Sequence, residues 1–417
     1  MKILIPSEII PSRSHNIRAA NIVLYNIIQQ FIKNDIQVDF LYVNLLDKKI
    51  NLKDLSFFKS SHFNIVQEIK INNELNETRF SKIKKIFFPK DEDLFPILKM
   101  KYKFHKVVSR IKPDWIFILW SESLTHLFSE LDEKVFAYYG NPLTKNIMAS
   151  NYLLAKYESN FLQKLLQKIY LINVSRIHLR IMRKLKIMGN VAKNDSLYYK
   201  KKGLKNSFYI QNTWSSKLKA KQVKNIISNT KLEEPYKIAA NVGKLNGTAN
   251  TFGLIFLFEK LIPELKKVLC KKKFEIHIFG SEKPKDYVLK KNKYSEVFFR
   301  GFVKDIDTEL LKCPVFLCCN NATLYNVGHT RYLHAWTLGR CIIAHSNVRD
   351  AMPEIMHNKN SLLGSDEKEI SKYVKRVFSD EKLFSRLSFN GYQTFIEKFD
   401  SKLVVKKILK EIQNFRN

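Results

Sequence analysis

Acidic residues are scarce in this chain. The 417 residues carry 39 Asp and Glu against 72 Lys and Arg, a formal net charge of +33. So positive a surface attracts anions: nucleic acid, anionic lipid or phosphorylated small molecules. The shortage is sharpest between Lys156 and Lys224, where Glu158 and Asp195 are the only acids. A general richness in Lys, Ile and Asn accounts for part of the total charge, but less of this local cluster. No window approaches the ~20 uninterrupted apolar residues of a membrane span. The apolar run after Lys2 stops at Pro6, too short for a secretory core. The expected setting is therefore the cytoplasm, with contact at the inner face of a membrane left open. The five cysteines, Cys270, Cys313, Cys318, Cys319 and Cys341, form no Cys-x-x-Cys pair. That spacing argues against a zinc or redox motif, and they read as small buried apolar residues. No nucleic-acid module is recognisable, and aromatics do not interleave regularly with basic residues, so a nucleic-acid partner is not expected. Internal repeats and low-complexity segments are also missing.

What is present is a series of short apolar runs alternating with helical patterns. Residues 2–6 read as a strand, about 17–33 as an amphipathic helix and 38–43 as a second strand, a β-α-β start. Further strands are expected at 114–120, 134–139 and 187–191, with 63–71 and 83–88 as short strands or an insertion. Helices are expected at 97–111, 161–185 and 195–202. Segment 207–210 completes this half. Residues 211–235 are polar and Lys-rich and read as a linker. A second series follows: strands 237–242, 274–279, 297–299, 315–319 and 341–344, with helices between them and a helical tail. The expected architecture is α/β, with a first doubly wound, Rossmann-like domain over 1–210 and a second over 236–395. A last helix spans 396–417. Size favours two domains, with ligands at the C-terminal ends of the strands.

The richest segment is 328–344, Gly-His-Thr-Arg-Tyr-Leu-His-Ala-Trp-Thr-Leu-Gly-Arg-Cys-Ile-Ile-Ala. A glycine-bearing loop leads into a short helix, a glycine stop and an apolar strand. Free backbone N–H groups at a helix N-terminus bind phosphate. Arg331 adds a fixed charge in the first turn. The combination suits a diphosphate-bearing ligand.

Three stretches then resemble the GT-B glycosyltransferases of the group 1, family 4-like set. They are Gly243-Lys244-Leu245 with Asn250 and Gly253-Leu254; Ile276–Gly280 with Phe299–Val303 and Asp305; and Gly328–Ala344 with Ala351–Ile355 and His357–Asn360. Together they cover about 236–364. The resemblance implies two Rossmann-like domains facing a cleft. It implies a nucleotide-diphosphate-sugar donor held by the second domain, a glycan or lipid-linked acceptor held by the first, and transfer with retention in cell-surface polysaccharide or lipopolysaccharide synthesis. Neither a metal nor a cofactor is implied, because basic side chains and a helix N-terminus neutralise the diphosphate. On this pattern Lys244 and Arg331 take the phosphates. Gly243, Gly280, Phe302, Asn326, Val327, Gly328 and His334 complete the donor set. The chain departs from the pattern at two positions, where Asn326 and His334 replace a pair of glutamates. A catalytically degenerate relative that binds anionic membrane or polymer is the alternative.

Each candidate has a plainer reading. Arg331 could pair with a surface acid, Lys244 is one lysine among many, and His334 could be a packed core histidine. Gly280 and Gly301 could be simple turns. For the acceptor base, His15 follows the first strand and Glu122 follows the strand ending at Trp120; either could deprotonate a hydroxyl. His126 and Asn141 are weaker candidates. The basic helix 161–185 fits a solvated face, an anionic lipid surface or nucleic acid. The membrane reading extends over the basic region 156–224.

Overall fold

A computed structural model describes residues 1–13, 19–44, 55, 58, 60–70, 86–131, 134–158, 161–321 and 325–415. The chain divides into two compact units. Unit 1 comprises Met1–Arg13, Ala20–Ile210 and Val405–Asn417, and unit 2 comprises Ser14–Ala19 and Gln211–Val404.

Unit 1 is built on strands β1 (Lys2–Ser7), β2 (Gln37–Asn44), β3 (Phe63–Lys70), β4 (Trp115–Leu119), β5 (Val135–Tyr139), β6 (Ile187–Asn190) and β7 (Ser207–Tyr209). Their order is β3-β2-β1-β4-β5-β6-β7, and every pairing is parallel. Strands β4 and β5 are buried along their whole length. Helices cover both faces of such a sheet, so its strands read as unbroken apolar runs. Helix α1 (Ala19–Lys33) buries Ile22, Val23, Leu24, Ile27, Ile28 and Phe31. Helix α2 (Lys101–Ile111) buries Phe104, Val107, Val108 and Ile111 at helical spacing. Then come α3 (Glu122–Ser129), α4 (Leu143–Tyr157), α5 (Phe161–Met182) and α6 (Lys193–Lys201).

Unit 2 repeats the plan with β8 (Tyr236–Val242), β9 (Phe274–Phe279), β10 (Val297–Gly301), β11 (Val315–Cys318), β12 (Cys341–His345) and β13 (Leu362–Gly364). Their order is β10-β9-β8-β11-β12-β13, again all parallel. The order reverses between β8 and β11. There the loops leaving the two strands diverge to opposite sides and open a crevice at their C-terminal ends.

Three expectations need correction. The segment read as a linker, 211–235, holds a helix, α7 (Ala220–Ser228). Val223 and Ile227, one helical turn apart, are buried in the core of unit 2, and only the remaining face is polar. The segment 83–88 is no strand where it is described: Ile86 and Phe87 are helical, and 83–85 lie outside the described residues. Helix α4 was not expected at all. Between β8 and β9 the expected helix forms as α8 (Thr248–Phe256) and passes through a π turn at Leu257–Leu261 into α9 (Ile262–Leu269).

The longer helices that follow are α10 (Ile306–Leu311), α11 (Thr330–Thr337), α12 (Glu367–Ser379), α13 (Glu381–Lys398) and α14 (Ser401–Asn414), with single turns such as Asp286–Leu289 and Val348–Ala351 between strands. Helix α14 buries Val404, Val405, Ile408 and Ile412, an i, i+4, i+8 stripe. Its residues from Val405 onward belong to unit 1.

Candidate functional site

Unit 2 has a crevice where the β8 and β9 loops meet the start of α11. Its lining includes Trp214, Gly243, Lys244, Gly280, Ser281, Glu282, Phe302, His329, Thr330, Arg331 and His334. Two glycines let the loops close up. Gly243 has φ +115°, which side chains rarely adopt. A Cβ on Gly280 would stand 1.8 Å from the Gly243 carbonyl oxygen. Phe302 stands on the rim with 65% of its surface exposed, unusual for an unpartnered aromatic ring.

Arg331 sits in the first turn of α11, behind the N-cap His329. The guanidinium Nη1 donates to Asn250 Oδ1 at 2.6 Å and Asn320 Oδ1 at 3.1 Å. Asn320 Nδ2 also donates to Asn250 Oδ1 at 2.7 Å, and Asn250 Nδ2 donates to the Lys244 carbonyl at 2.8 Å. Amides from α8 and from the β11 loop thus hold the cation in place without neutralising it. Among the described residues no carboxylate forms an ion pair with Arg331. Burial lowers its pKa from the usual arginine value, as expected for a cation removed from water without a close anion. The plainer expectation, that Arg331 pairs with a surface acid, fails here.

Lys244 has a partner: its Nζ lies 3.0 Å from Glu282 Oε1, and both side chains are well exposed. Asn246 Nδ2 donates to the other Glu282 oxygen at 2.6 Å. An exposed pair of this kind is held weakly, so an incoming anion can exchange for the carboxylate.

His334 is buried, and its Nε2 stands 2.6 Å from Asp307 Oδ1. Its ring lies 5.5 Å from that of Trp214. Lys217 Nζ donates to Asp307 Oδ2 at 2.9 Å. Packed histidine and crevice-lining histidine are therefore one arrangement. Asp307, from α10, supplies a carboxylate that the helix itself lacks.

Other expected residues fall elsewhere. Asn326 Nδ2 donates to Asp350 Oδ2 at 3.2 Å. Val327 is buried, its N–H donating to Asn321 Oδ1 at 3.3 Å. Neither of these, nor Gly328, is among the residues lining the crevice. His15 lies outside the described residues. In unit 1, Glu122 follows β4 as expected, as the first residue of α3, and its carboxylate faces His126 and His178. Asn141 follows β5 in a bend.

Sequence reasoning missed Trp214, Glu282 and Asp307, and in unit 1 it missed Glu8. Glu8 lies just past β1, where the order of sheet 1 reverses. Ser121 Oγ donates to its Oε1 at 2.7 Å. Burial raises the Glu8 pKa, partly opposed by that hydrogen bond. Its position just past the first strand is the signal that the sequence offers for it.

Residues 237–380 match the family model described as "Glycosyl transferases group 1". A search of curated proteins gave no match. Among solved structures, the chain is similar to sucrose-phosphate synthase from Thermosynechococcus elongatus, with a TM-score of 0.65 at 12% identity, covering 99% of this chain and 98% of that one. Anabaena HepE, solved in complex with UDP and glucose, gives a TM-score of 0.62 at 13% identity over 99% of each chain. A variant of S. aureus TarM, solved with Fondaparinux, alpha-GlcNAc-glycerol and UDP, gives 0.63 at 13% identity over 99% of each. At such identities the likeness to these structures is one of fold. The chain therefore has the GT-B fold, and residues 237–380 of its second unit are similar to the group 1 glycosyl transferases.

Proposed function

We propose that the protein transfers a sugar from a nucleotide-diphosphate donor to a glycan or lipid-linked acceptor, with retention, in cell-surface polysaccharide or lipopolysaccharide synthesis. The observation that carries the reading is Arg331: a largely buried guanidinium held by neutral amides at a helix N-terminus, in a crevice where two glycines let the loops close together. An anion at that point gains a planar two-pronged donor, backbone N–H groups and a cation already desolvated. A diphosphate meets these requirements and also reaches Lys244. As the bond to the sugar breaks, charge grows on the leaving phosphate, and these fixed donors stabilise it without reorganising. Phe302 offers a face for the nucleobase. His334, oriented by Asp307, offers a nitrogen to a ribose hydroxyl. In unit 1, Glu8 is the acceptor-side carboxylate, its raised pKa suiting it to take a proton from a hydroxyl. UDP is the first nucleotide to try, because the HepE and TarM structures were solved with it.

The basic surface supports a site of action at an anionic membrane. Helix α5 begins with Phe161 and Leu162 exposed at 83% and 61%, and Lys164 and Lys168 follow on the same helix. No helix among the described residues is long and apolar enough to cross a membrane.

Thermal shift against UDP, GDP, CDP and ADP and their sugars tests the donor reading. One nucleotide at ~100 times its dissociation constant should stabilise the protein by about 2.7 kcal/mol. Arg331→Ala should remove that shift while the unliganded melting temperature changes little. An equal shift in wild type and Arg331→Ala would overturn the assignment. A flat screen in wild type would favour a degenerate binder. NMR of the product tests retention, and an inverted anomeric carbon would refute it.

A further inference from the structure

Unit 1 contains a buried cluster that the donor chemistry does not use. Glu122 and His126 lie one turn apart on α3, and His178 reaches them from α5. His126 Nε2 and His178 Nδ1 are 3.1 Å apart. Glu122 Oε2 stands 3.9 Å from the first and 3.5 Å from the second. Both histidines are fully buried, and Glu122 is the partly exposed member. His178 Nε2 lies 2.7 Å from the Tyr199 hydroxyl, and the His178 ring stacks at 6.3 Å on Tyr139. Phe95 closes the other side, its ring 3.9 Å from that of His126.

Three potential metal ligands converge here: Glu122 Oε2, His126 Nε2 and His178 Nδ1 all lie within 4.8 Å of one another. The two ring nitrogens share at most one hydrogen across their 3.1 Å gap. Two imidazole nitrogens and a carboxylate oxygen, brought together from two helices, are the donor types that hold a transition metal.

We infer that Glu122, His126 and His178 form a zinc site in unit 1, binding one Zn(II) through Glu122 Oε2, His126 Nε2 and His178 Nδ1. Ligand atoms at zinc distances in a tetrahedral array stand about 3.3 Å from one another, and the three separations here bracket that value. With Nδ1 on the metal, His178 Nε2–H donates to Tyr199, the outer partner that fixes the tautomer. Nitrogen and oxygen ligands with two imidazoles suit zinc better than magnesium or calcium. Bound there, the ion ties α3 to α5. The site does not depend on the donor reading, because all its residues belong to unit 1 and none lines the crevice.

The test uses the full-length protein with any affinity tag removed. Protein is stripped with chelator, incubated with zinc chloride, desalted and analysed for metal. Wild type should retain about one zinc per chain, and its melting temperature should rise with added zinc. Glu122→Gln, isosteric and partly exposed, and His178→Gln should each lose the bound metal and that rise. Co(II) added to stripped wild type should give the visible absorption of a four-coordinate site, and one equivalent of zinc should abolish it. The cobalt spectrum decides the matter even if a variant fails to fold. No retained zinc and no cobalt bands in wild type would overturn the site, leaving a hydrogen-bonded relay. Equal zinc in wild type and folded variants would overturn it equally.

Discussion

A methyl group at position 280 would collide with the Gly243 carbonyl, because the two loops touch backbone to backbone. Gly280→Ala should therefore displace the loop carrying Lys244. We expect a stability loss of about 1–3 kcal/mol, typical of overpacking, and donor affinity at least tenfold weaker in the thermal-shift assay. An unchanged affinity would show that the loops can part without consequence. The residues of this crevice were unequally legible in the sequence. Gly243, Lys244, Gly280, Phe302 and Arg331 each follow a strand or begin a helix, and strand ends can be read from apolar runs; His334 lies further along α11. Asp307 could not be recognised as the partner of His334: it lies 27 residues away on another element, and only folding brings them together. Trp214 was hidden in a stretch that looked like a linker. The resemblance puts Asn326 and Val327 in the donor set, but their side chains turn to Asp350 and to the buried side of the loop.

Among the elements, strands were easier to read than helices. Fully buried parallel strands are continuous apolar runs ended by glycine or polar residues, and most expected boundaries fell within two residues. Helices α4 and α7 escaped because lysines and asparagines interrupt their apolar positions. In α7 two buried side chains suffice. Burying each is worth roughly 1.5–3 kcal/mol, enough to seat a nine-residue helix. Helices α4 and α5 pack against each other, and Met148, Tyr152, Phe161 and Leu165 border an apolar groove there with Lys164 and Lys168. Apolar tips beside lysines are what an interfacial membrane element needs. Phe161→Ser with Leu162→Ser should weaken binding to vesicles containing anionic lipid at least fivefold in a sedimentation assay, leaving the melting temperature nearly unchanged. Equal sedimentation of variant and wild type would sink the membrane reading for this element.

Over the whole molecule, a net charge of +33 is a store of self-repulsion. Raising ionic strength from about 10 mM to about 150 mM shortens the screening length from roughly 30 Å to roughly 8 Å. The melting temperature should rise by a few degrees across that range, followed by circular dichroism in sodium chloride. A melting temperature that falls would mean that paired charges outweigh the repulsion.

Unit 1 is drawn from both ends of the chain, whereas almost all of unit 2 is one stretch between them. On the ribosome this sets an order. The seven strands of the first sheet emerge early, but the stripe Val405, Ile408 and Ile412 on α14 emerges only after the second unit has been made. At ~5–20 residues per second, the roughly two hundred intervening residues take about ten to forty seconds. Through that interval the nascent first unit leaves uncovered the apolar surface that this stripe will later bury. The second unit has by then emerged nearly whole. The half made first is the half completed last, and it is where a chaperone would find its client.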